Sequence, residues 1–248
     1  MKKHFVIIIL LLAAIGGYGQ TAGVRRVLNE NTVVVDSAGK KYAYADWKKM
    51  TGSGDYTLRL KEPIIDGKPN SDPNAEFTLV PFTAEMKAKQ KSRMGPPPAS
   101  PFFTTGEKIE PFRVKDIKGN KIDTKDWAGK TVVLNFWFID CAPCRQEMPE
   151  LNKIVAKYAG NPNVIFIGVA LDEQYEVKDF TKKTPFDYHL VGEGRQYAQM
   201  FGIKSYPTNV VVDKEGNVLF HATGYSLNTA DWVEKSIAKS EAAKPTVQ

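Results

Sequence analysis

The sequence predicts a mixed α/β domain, with helices on both faces of a central sheet, preceded by a small β-rich module. Three observations support this. From residue 106 onward, apolar strand-like runs alternate with amphipathic helical segments, whereas residues 20–93 contain short Val/Tyr/Leu-rich runs separated by turn residues. Four prolines fall within residues 94–101, which indicates an extended linker between the two parts.

The first residues are typical of an export signal. Lys2 and Lys3 precede an apolar run over residues 5–15, which small residues follow. We therefore expect a signal peptide at residues 1–19. The run is shorter than the roughly 20 residues of a membrane-spanning helix, and an uncleaved membrane anchor is the alternative. The protein is expected in the periplasm or another extracytoplasmic space, where disulfides persist.

After the signal peptide, three further segments are predicted before the tail. These are a β-rich module at residues 20–93, a proline-rich linker at 94–105 and the α/β domain at 106–241, with a tail at 242–248. Within the module, strands are predicted at residues 31–35, 41–44, 56–60 and 76–80.

The α/β domain is predicted to open with a hairpin, residues 112–114 and 121–123, around a turn at 116–120. Long apolar runs at 131–139 and 164–171 are typical of buried strands. Helical periodicity predicts helices at residues 143–158, 175–183, 195–201 and 229–239, with a second hairpin at 209–212 and 218–222.

Composition excludes several classes of protein. Two cysteines in 248 residues allow at most one intrachain disulfide, so neither a disulfide-dense scaffold nor a site of four cysteine thiolates can form in one chain. The net charge is +6, and it falls to +4 when the two lysines of the signal peptide are removed. The remaining charge is dispersed, so no nucleic-acid partner is expected.

Cys141 and Cys144 lie between a predicted buried strand and a predicted helix. At the helix N-terminus, unpaired backbone N–H groups and the helix dipole favour a thiolate at Cys141. Pro143 suits the first helical turn, where its missing N–H has no partner. Cys144 lies further into the helix, where it would be shielded and react second.

Two other uses of the cysteine pair are alternatives. A structural disulfide closing so small a loop would constrain the unfolded chain little. A zinc or copper site would need two more ligands, and the histidines, at positions 4, 189 and 221, have no paired spacing. No metal is therefore expected in one chain.

Residues 135–149, Asn-Phe-Trp-Phe-Ile-Asp-Cys-Ala-Pro-Cys-Arg-Gln-Glu-Met-Pro, resemble the active-site segment of thioredoxin-fold proteins. The Cys-x-x-Cys-Arg-x-Glu-Met-Pro form is similar to the TlpA/ResA-like extracytoplasmic thiol-disulfide oxidoreductases, which are AhpC/TSA/redoxin-like. The resemblance covers about residues 106–240 and includes Tyr206-Pro207-Thr208, which matches the family's cis-proline segment. It implies a thioredoxin fold with an N-terminal hairpin.

The resemblance also implies roles for particular residues. Cys141 would attack a substrate disulfide, and Cys144 would resolve the mixed disulfide. Pro207 would present the backbone at Tyr206 to the substrate. Ala142 and Pro143 are expected to contact the substrate.

Trp137, four residues before Cys141, is also predicted to contact the substrate, and the alternative is a place in the hydrophobic core.

The resemblance to these oxidoreductases also implies which cofactors and partners to expect. It implies a redox-active Cys141–Cys144 disulfide and no further cofactor. The implied partners are oxidised extracytoplasmic proteins, such as apocytochromes in cytochrome c maturation, and a membrane thiol-disulfide electron donor.

One departure from thioredoxins concerns proton transfer. They usually have a buried Asp where this sequence has Asn135, so that proton acceptor is absent. Glu147 lies one helical turn after Cys144, on the same side of the helix. We predict that Glu147 transfers the proton or tunes the thiol pKa values. The alternative is a solvated first-turn glutamate stabilised by the helix dipole.

A second departure concerns the direction of electron transfer. Asp140 stands where many thioredoxin-like proteins have Trp, and its charge opposes a thiolate at Cys141. With no histidine between the cysteines, this favours a protein-disulfide reductase, or an isomerising partner, over a strong oxidant. The alternatives are a peroxiredoxin-like peroxidase and a non-enzymatic metal carrier or binding module.

Overall fold

The structure is a computed structural model that describes residues 28–243. The predicted signal peptide and most of the predicted tail lie outside the described residues. The described chain forms two compact units, one of residues 28–44 and 58–79 and another of residues 45–57 and 80–243. This division differs from the predicted one, because residues 45–57 and 80–105 group with the α/β domain.

The first part of the chain contains a four-stranded sheet in the order β2-β1-β6-β3 and a separate hairpin of β4 and β5. Its elements are β1 (Val34–Val35), β2 (Lys41–Tyr42), α1 (Tyr44–Gly52), β3 (Tyr56–Leu60), β4 (Ile64–Ile65), β5 (Lys68–Pro69), β6 (Phe77–Pro81) and α2 (Ala84–Lys91). The β4–β5 turn uses Asp66 and Gly67, both with positive φ.

The helices α1 and α2 are not among the elements predicted for the β-rich module. α1 begins at Tyr44, where a strand was predicted to end. α2 carries start and stop signals that are visible in the sequence: the Thr83 side chain accepts a hydrogen bond from the Met86 N–H (3.3 Å), and lysines occupy the last turn. Both helices are short, and their weak apolar periodicity left them undetected.

The α/β domain follows the predicted order closely. Its elements are β7 (Arg113–Lys115), β8 (Lys121–Asp123), β9 (Thr131–Trp137), α3 (Ala142–Tyr158), β10 (Val164–Ala170), α4 (Gln174–Thr181), β11 (His189–Val191), α5 (Arg195–Met200), β12 (Thr208–Val212), β13 (Val218–Thr223) and α6 (Thr229–Ala242). The three-residue strand β11 was not predicted.

A five-stranded mixed sheet in the order β11-β10-β9-β12-β13 forms the centre of this domain. β9, β10 and β11 are parallel, and β12 and β13 are antiparallel to their neighbours. All seven residues of β9 are buried, because it is the middle strand. The N-terminal hairpin of β7 and β8 forms as predicted.

Alternate residues of β9 face two separate cores. Val133 and Trp137 pack with residues of α3 and α6, including Met148 and Ile237. Val132, Leu134 and Phe136 belong to the other core, together with Ala198 of α5. The alternation of side chains in a strand therefore produces a sheet covered on both faces, which confirms the predicted fold class.

We predict that a methyl group at Gly194 destabilises the fold. The Gly194 N–H donates to the Ala170 carbonyl (2.8 Å), and a Cβ at residue 194 would lie 2.6 Å from that same oxygen. Gly194→Ala should therefore lower the free energy of unfolding by about 1–3 kcal/mol, measured by urea denaturation. Gly160→Ala is the control, since its Cβ meets nothing within 4 Å. Equal effects of the two substitutions would contradict this packing.

Candidate active site

The candidate site lies where β9 ends and α3 begins. A turn joins them, in which the Cys141 N–H donates to the Phe138 carbonyl (3.1 Å). The Ile139 N–H donates to the carboxylate of Asp172 (2.8 Å), which follows β10. The neighbouring parallel strand therefore holds the turn that leads into the first cysteine.

Cys141 and Cys144 form a disulfide, with their Cα atoms 5.2 Å apart. Cys141 is the N-cap of α3, and its Sγ accepts a hydrogen bond from the Cys144 N–H (3.2 Å). Pro143 lies in the first turn, which confirms the predicted position of the motif at a helix N-terminus. Both cysteines are buried, Cys144 with 1% of its surface exposed and Cys141 with 4%.

The surface beside the disulfide is uncharged at several predicted contact positions. Ala142 and Pro143 are exposed. The Tyr206–Pro207 peptide bond is cis, as predicted. The half-buried Tyr206 ring packs edge-to-face on Phe138, with centroids 5.6 Å apart, so the cis-proline segment lies against the turn before Cys141.

Trp137 does not reach this surface. It has no exposed area, and its ring contacts Phe180 and Phe186 at centroid distances of 5.5 and 5.7 Å. The predicted substrate contact is therefore wrong for Trp137. As the last residue of β9, it points into the core on the α3 side, and closeness in sequence to Cys141 does not bring it to the surface.

Glu147 is buried in α3, with 3% of its surface exposed, among amide groups of two strands. Asn135 Nδ2 donates to Glu147 Oε1 (2.7 Å), and Asn209 Nδ2 donates to both carboxylate oxygens (3.1 Å each). Asn135 Nδ2 also donates to Asn209 Oδ1 (2.9 Å). The three side chains form one hydrogen-bonded group one helical turn beyond Cys144.

Two opposing effects act on this carboxyl group. Burial raises the pKa of Glu147 to about 8, and the hydrogen bonds from Asn209 and Asn135 oppose that rise. Burial is the larger effect, so at neutral pH the group holds its proton but can release it. A solvated glutamate, the alternative considered from the sequence, does not fit a buried side chain.

The sequence did not lead us to Asn209, and Asn135 was considered only as the residue that replaces the buried Asp of thioredoxins. Asn209 lies two residues after Pro207 and directly opposite Asn135 in the antiparallel pairing of β12 with β9. Each is the one amide residue of a fully buried strand whose other members are apolar apart from a threonine at the first position. That pattern was a usable signal, because buried amides require partners.

Within residues 28–243 we find no group of three or more His, Cys, Asp or Glu residues arranged to hold a metal ion. No helix in the same range is both long and apolar enough to cross a membrane.

The disulfide at a helix N-terminus, the cis-proline beside it and the β11-β10-β9-β12-β13 sheet together define a thioredoxin fold. Comparisons with known proteins extend this assignment. Residues 105–221 match the model of the AhpC/TSA family. The thiol-disulfide oxidoreductase ResA of Bacillus thuringiensis subsp. konkukian is 35% identical over 131 residues, which cover 50% of this chain and 75% of ResA.

Two further similarities agree. The thioredoxin-like protein YneN of Bacillus subtilis is 31% identical over 113 residues, 45% of this chain and 66% of YneN. The crystal structure of a thiol:disulfide interchange protein, DsbE, of Chlorobium tepidum matches with a TM-score of 0.51 and 26% identity, covering 56% of this chain and 98% of that one. The chain therefore belongs to the ResA-like thiol-disulfide oxidoreductases of the AhpC/TSA family.

We predict that Glu147 makes stability fall as pH rises. Between the ordinary pKa of 4.5 and the folded value of about 8, only the unfolded chain releases this proton. The free energy of unfolding should therefore fall by up to about 1.4 kcal/mol per pH unit in that window, and Glu147→Gln should abolish this loss. Urea denaturation of the oxidised protein from pH 4 to 9 measures it.

Glu150→Gln is the matched control, because Glu150 lies on the same helix, is partly exposed and pairs with Lys153. Its stability difference from the wild type should vary little over the window. A Glu147→Gln difference that stays constant from pH 5 to 8 would contradict the raised pKa.

Proposed function

We propose that this protein is an extracytoplasmic protein-disulfide reductase in which Cys141 attacks the substrate, Cys144 resolves the mixed disulfide and Glu147 accepts the Cys144 proton. The observation that carries the proposal is the buried Glu147 carboxyl, one helical turn from Cys144, with a pKa of about 8. A group that ionises near neutral pH can serve both as base and as acid.

The first step begins with both thiols reduced. The Cys141 thiolate attacks one sulfur of a substrate disulfide, the substrate S–S bond breaks, and the other substrate sulfur leaves as a thiolate that takes a proton from water. The helix N-terminus supports this step, because the Cys144 N–H already points at Cys141 Sγ.

The second step releases the product. The Glu147 carboxylate takes the proton of Cys144, whose thiolate attacks Cys141 Sγ and breaks the mixed disulfide. The second substrate sulfur leaves as a thiolate, and the Cys141–Cys144 disulfide forms. Two electrons have passed to the substrate, and a thiol electron donor must return two before the next cycle.

Pro207 and Tyr206 are proposed to align an extended substrate segment beside the cysteines, with Ala142 and Pro143 as further contacts. The exposure of Ala142 and Pro143 and the packing of Tyr206 on Phe138 support these roles. Neither Ala142 nor Pro143 offers a charge or side-chain hydrogen-bond donor to a thiolate at Cys141. This favours a reductant, because a thiolate that has only backbone N–H donors makes the reduced state less stable than in a strong oxidant, where a side chain adds to them.

The location and partners belong to the same proposal. The signal-like sequence at residues 1–19 supports export. Oxidised extracytoplasmic proteins, including apocytochromes, would be the electron acceptors, and a membrane thiol-disulfide protein would be the donor. The Cys141–Cys144 couple would be the redox centre, without a metal or organic cofactor.

We predict that Cys144→Ser traps a mixed disulfide. Cys141 would still attack a disulfide-bonded peptide, but without the resolving thiol the complex should persist at least about tenfold longer than in the wild type. Non-reducing electrophoresis with mass spectrometry measures it. Cys141→Ser is the control, because the remaining thiol is the more deeply buried one and should trap little. Equal trapping by both variants would contradict the assignment of the attacking cysteine.

We predict a reduction potential closer to the about −270 mV of thioredoxin than to the about −120 mV of DsbA. The reason is the lack of a stabilising charge or side-chain donor at positions 142 and 143. Equilibration with glutathione and dithiothreitol buffers at pH 7 measures the potential. A value near the DsbA end of this range would contradict the reductant role and leave the oxidoreductase class unchanged.

A further inference from the structure

The amide groups around Glu147 carry an inference beyond the roles of the cysteines and of Glu147 itself. Asn209 is fully buried, and both contacts of its Nδ2 with carboxylate oxygens go to Glu147. Asn135 Nδ2 divides its hydrogen bonds between Glu147 and Asn209 Oδ1. The carboxyl therefore accepts three hydrogen bonds from two amides.

The hydrogen bonds from the two amides favour the ionised form of the carboxyl. An ionised carboxylate only accepts hydrogen bonds, and every contact described for Glu147 is with an amide donor. A protonated Glu147 would instead present an O–H that needs an acceptor, and each hydrogen bond described for its carboxyl comes from a donor. The amides thus favour the ionised form, whereas burial favours the neutral one.

Ion pairs do not provide this stabilisation. No salt bridge among residues 28–243 includes Glu147. On its own helix, Cys144 is held in the disulfide and Glu150 pairs with Lys153. The tyrosines that interact with Glu147 are Tyr188, before β11, and Tyr225, after β13. Burial first, and then the Glu147 charge, raise the pKa values of both tyrosines, so neither supplies a positive charge.

We propose that Asn209 is a positioning residue: its hydrogen bonds stabilise the ionised carboxylate of Glu147, one helical turn from Cys144. In this way Asn209 links the strand that follows the cis-proline to proton transfer. The expected effect on catalysis rests on the proposed function, whereas the hydrogen bonding between Asn209 and Glu147 rests on the geometry alone. Pro207 and Asn209 lie on one short segment, and β12 pairs with β9 through Asn209 and Asn135.

The test is the titration of the Glu147 carboxyl in the oxidised protein. Its ¹³C signal is assigned by its disappearance in Glu147→Gln. Asn209→Leu keeps a similar volume but removes the donors, so the midpoint should rise by about one to two pH units, a tenfold or larger fall in the ionised fraction at neutral pH. Asn209→Ser retains a single hydroxyl donor at a smaller residue and should shift the midpoint less, in the same direction.

Thr131→Val is the matched control. Thr131 is a fully buried polar residue at the other end of β9, hydrogen-bonded to Ser240 (2.7 Å), and the substitution is nearly isosteric. It should leave the Glu147 midpoint unchanged even if it lowers stability. A midpoint in folded Asn209→Leu that equals the wild type or falls would overturn the proposal. If that variant does not fold, an unshifted midpoint in Asn209→Ser would do the same.

A kinetic measurement separates this inference from the proposed function. With a disulfide-bonded peptide, Asn209→Leu should lower kcat about tenfold at neutral pH, shift the pH profile to higher pH and leave KM unchanged, since Asn209 has no exposed surface. A shifted titration with unchanged kcat would support the positioning role and contradict Glu147 as the proton acceptor. A wild type without exchange activity would refute the proposed function, and the titration would still test Asn209.

Discussion

The rest of the site depends on the burial of an ionisable carboxyl next to a disulfide. A carboxylate removed from water is strongly destabilised unless hydrogen-bond donors replace the lost solvent. At Glu147 the donors are two amides from two different strands. They reach the same carboxyl only because Asn135 and Asn209 are directly opposite each other in the β9–β12 pairing and α3 packs on the face to which both point.

The same register determines the other half of the site. Because Asn209 is opposite Asn135, Thr208 is opposite Phe136. Pro207 therefore lies at the end of the sheet where β9 leads into the Cys141 turn. A shift of β12 by one residue along β9 would turn Asn209 towards the opposite core, leave Asn135 without this partner, and move Pro207 relative to the disulfide. The register of β12 on β9 thus determines both the hydrogen bonding of Glu147 and the place of the cis-proline beside the Cys141 turn.

The sequence predicted the parts of this arrangement that local signals specify. Long apolar runs identified β9 and β10, helical periodicity identified α3, and the position of Cys141 between them indicated an N-cap. The partners of Glu147 were not predictable in this way, since Asn209 is 62 residues away along the chain. Trp137 illustrates the opposite error, because its closeness to Cys141 suggested a surface position while strand alternation directs it inward. The helix α1 and the three-residue β11 were missed for lack of a long periodic pattern.

The proline-rich segment has a composition that suits both a free linker and a segment packed on the edge of a sheet. Residues 94–105 were predicted to be a linker, yet within the larger unit they lie along the edge strand β13. The Pro98 carbonyl accepts from the Thr223 N–H (3.1 Å), and the Gly106 N–H donates to the Val218 carbonyl (2.8 Å). The Gly95 carbonyl also accepts from Asn228 Nδ2 (2.8 Å), in the loop whose Gly224 N–H bonds the Pro207 carbonyl (2.8 Å). Proline lacks an N–H, so such a segment can accept hydrogen bonds from an exposed edge without offering a regular edge for another strand. The missing N–H of proline suits both a free linker and a segment that covers the edge of a sheet, so only the contacts in the structure distinguish the two.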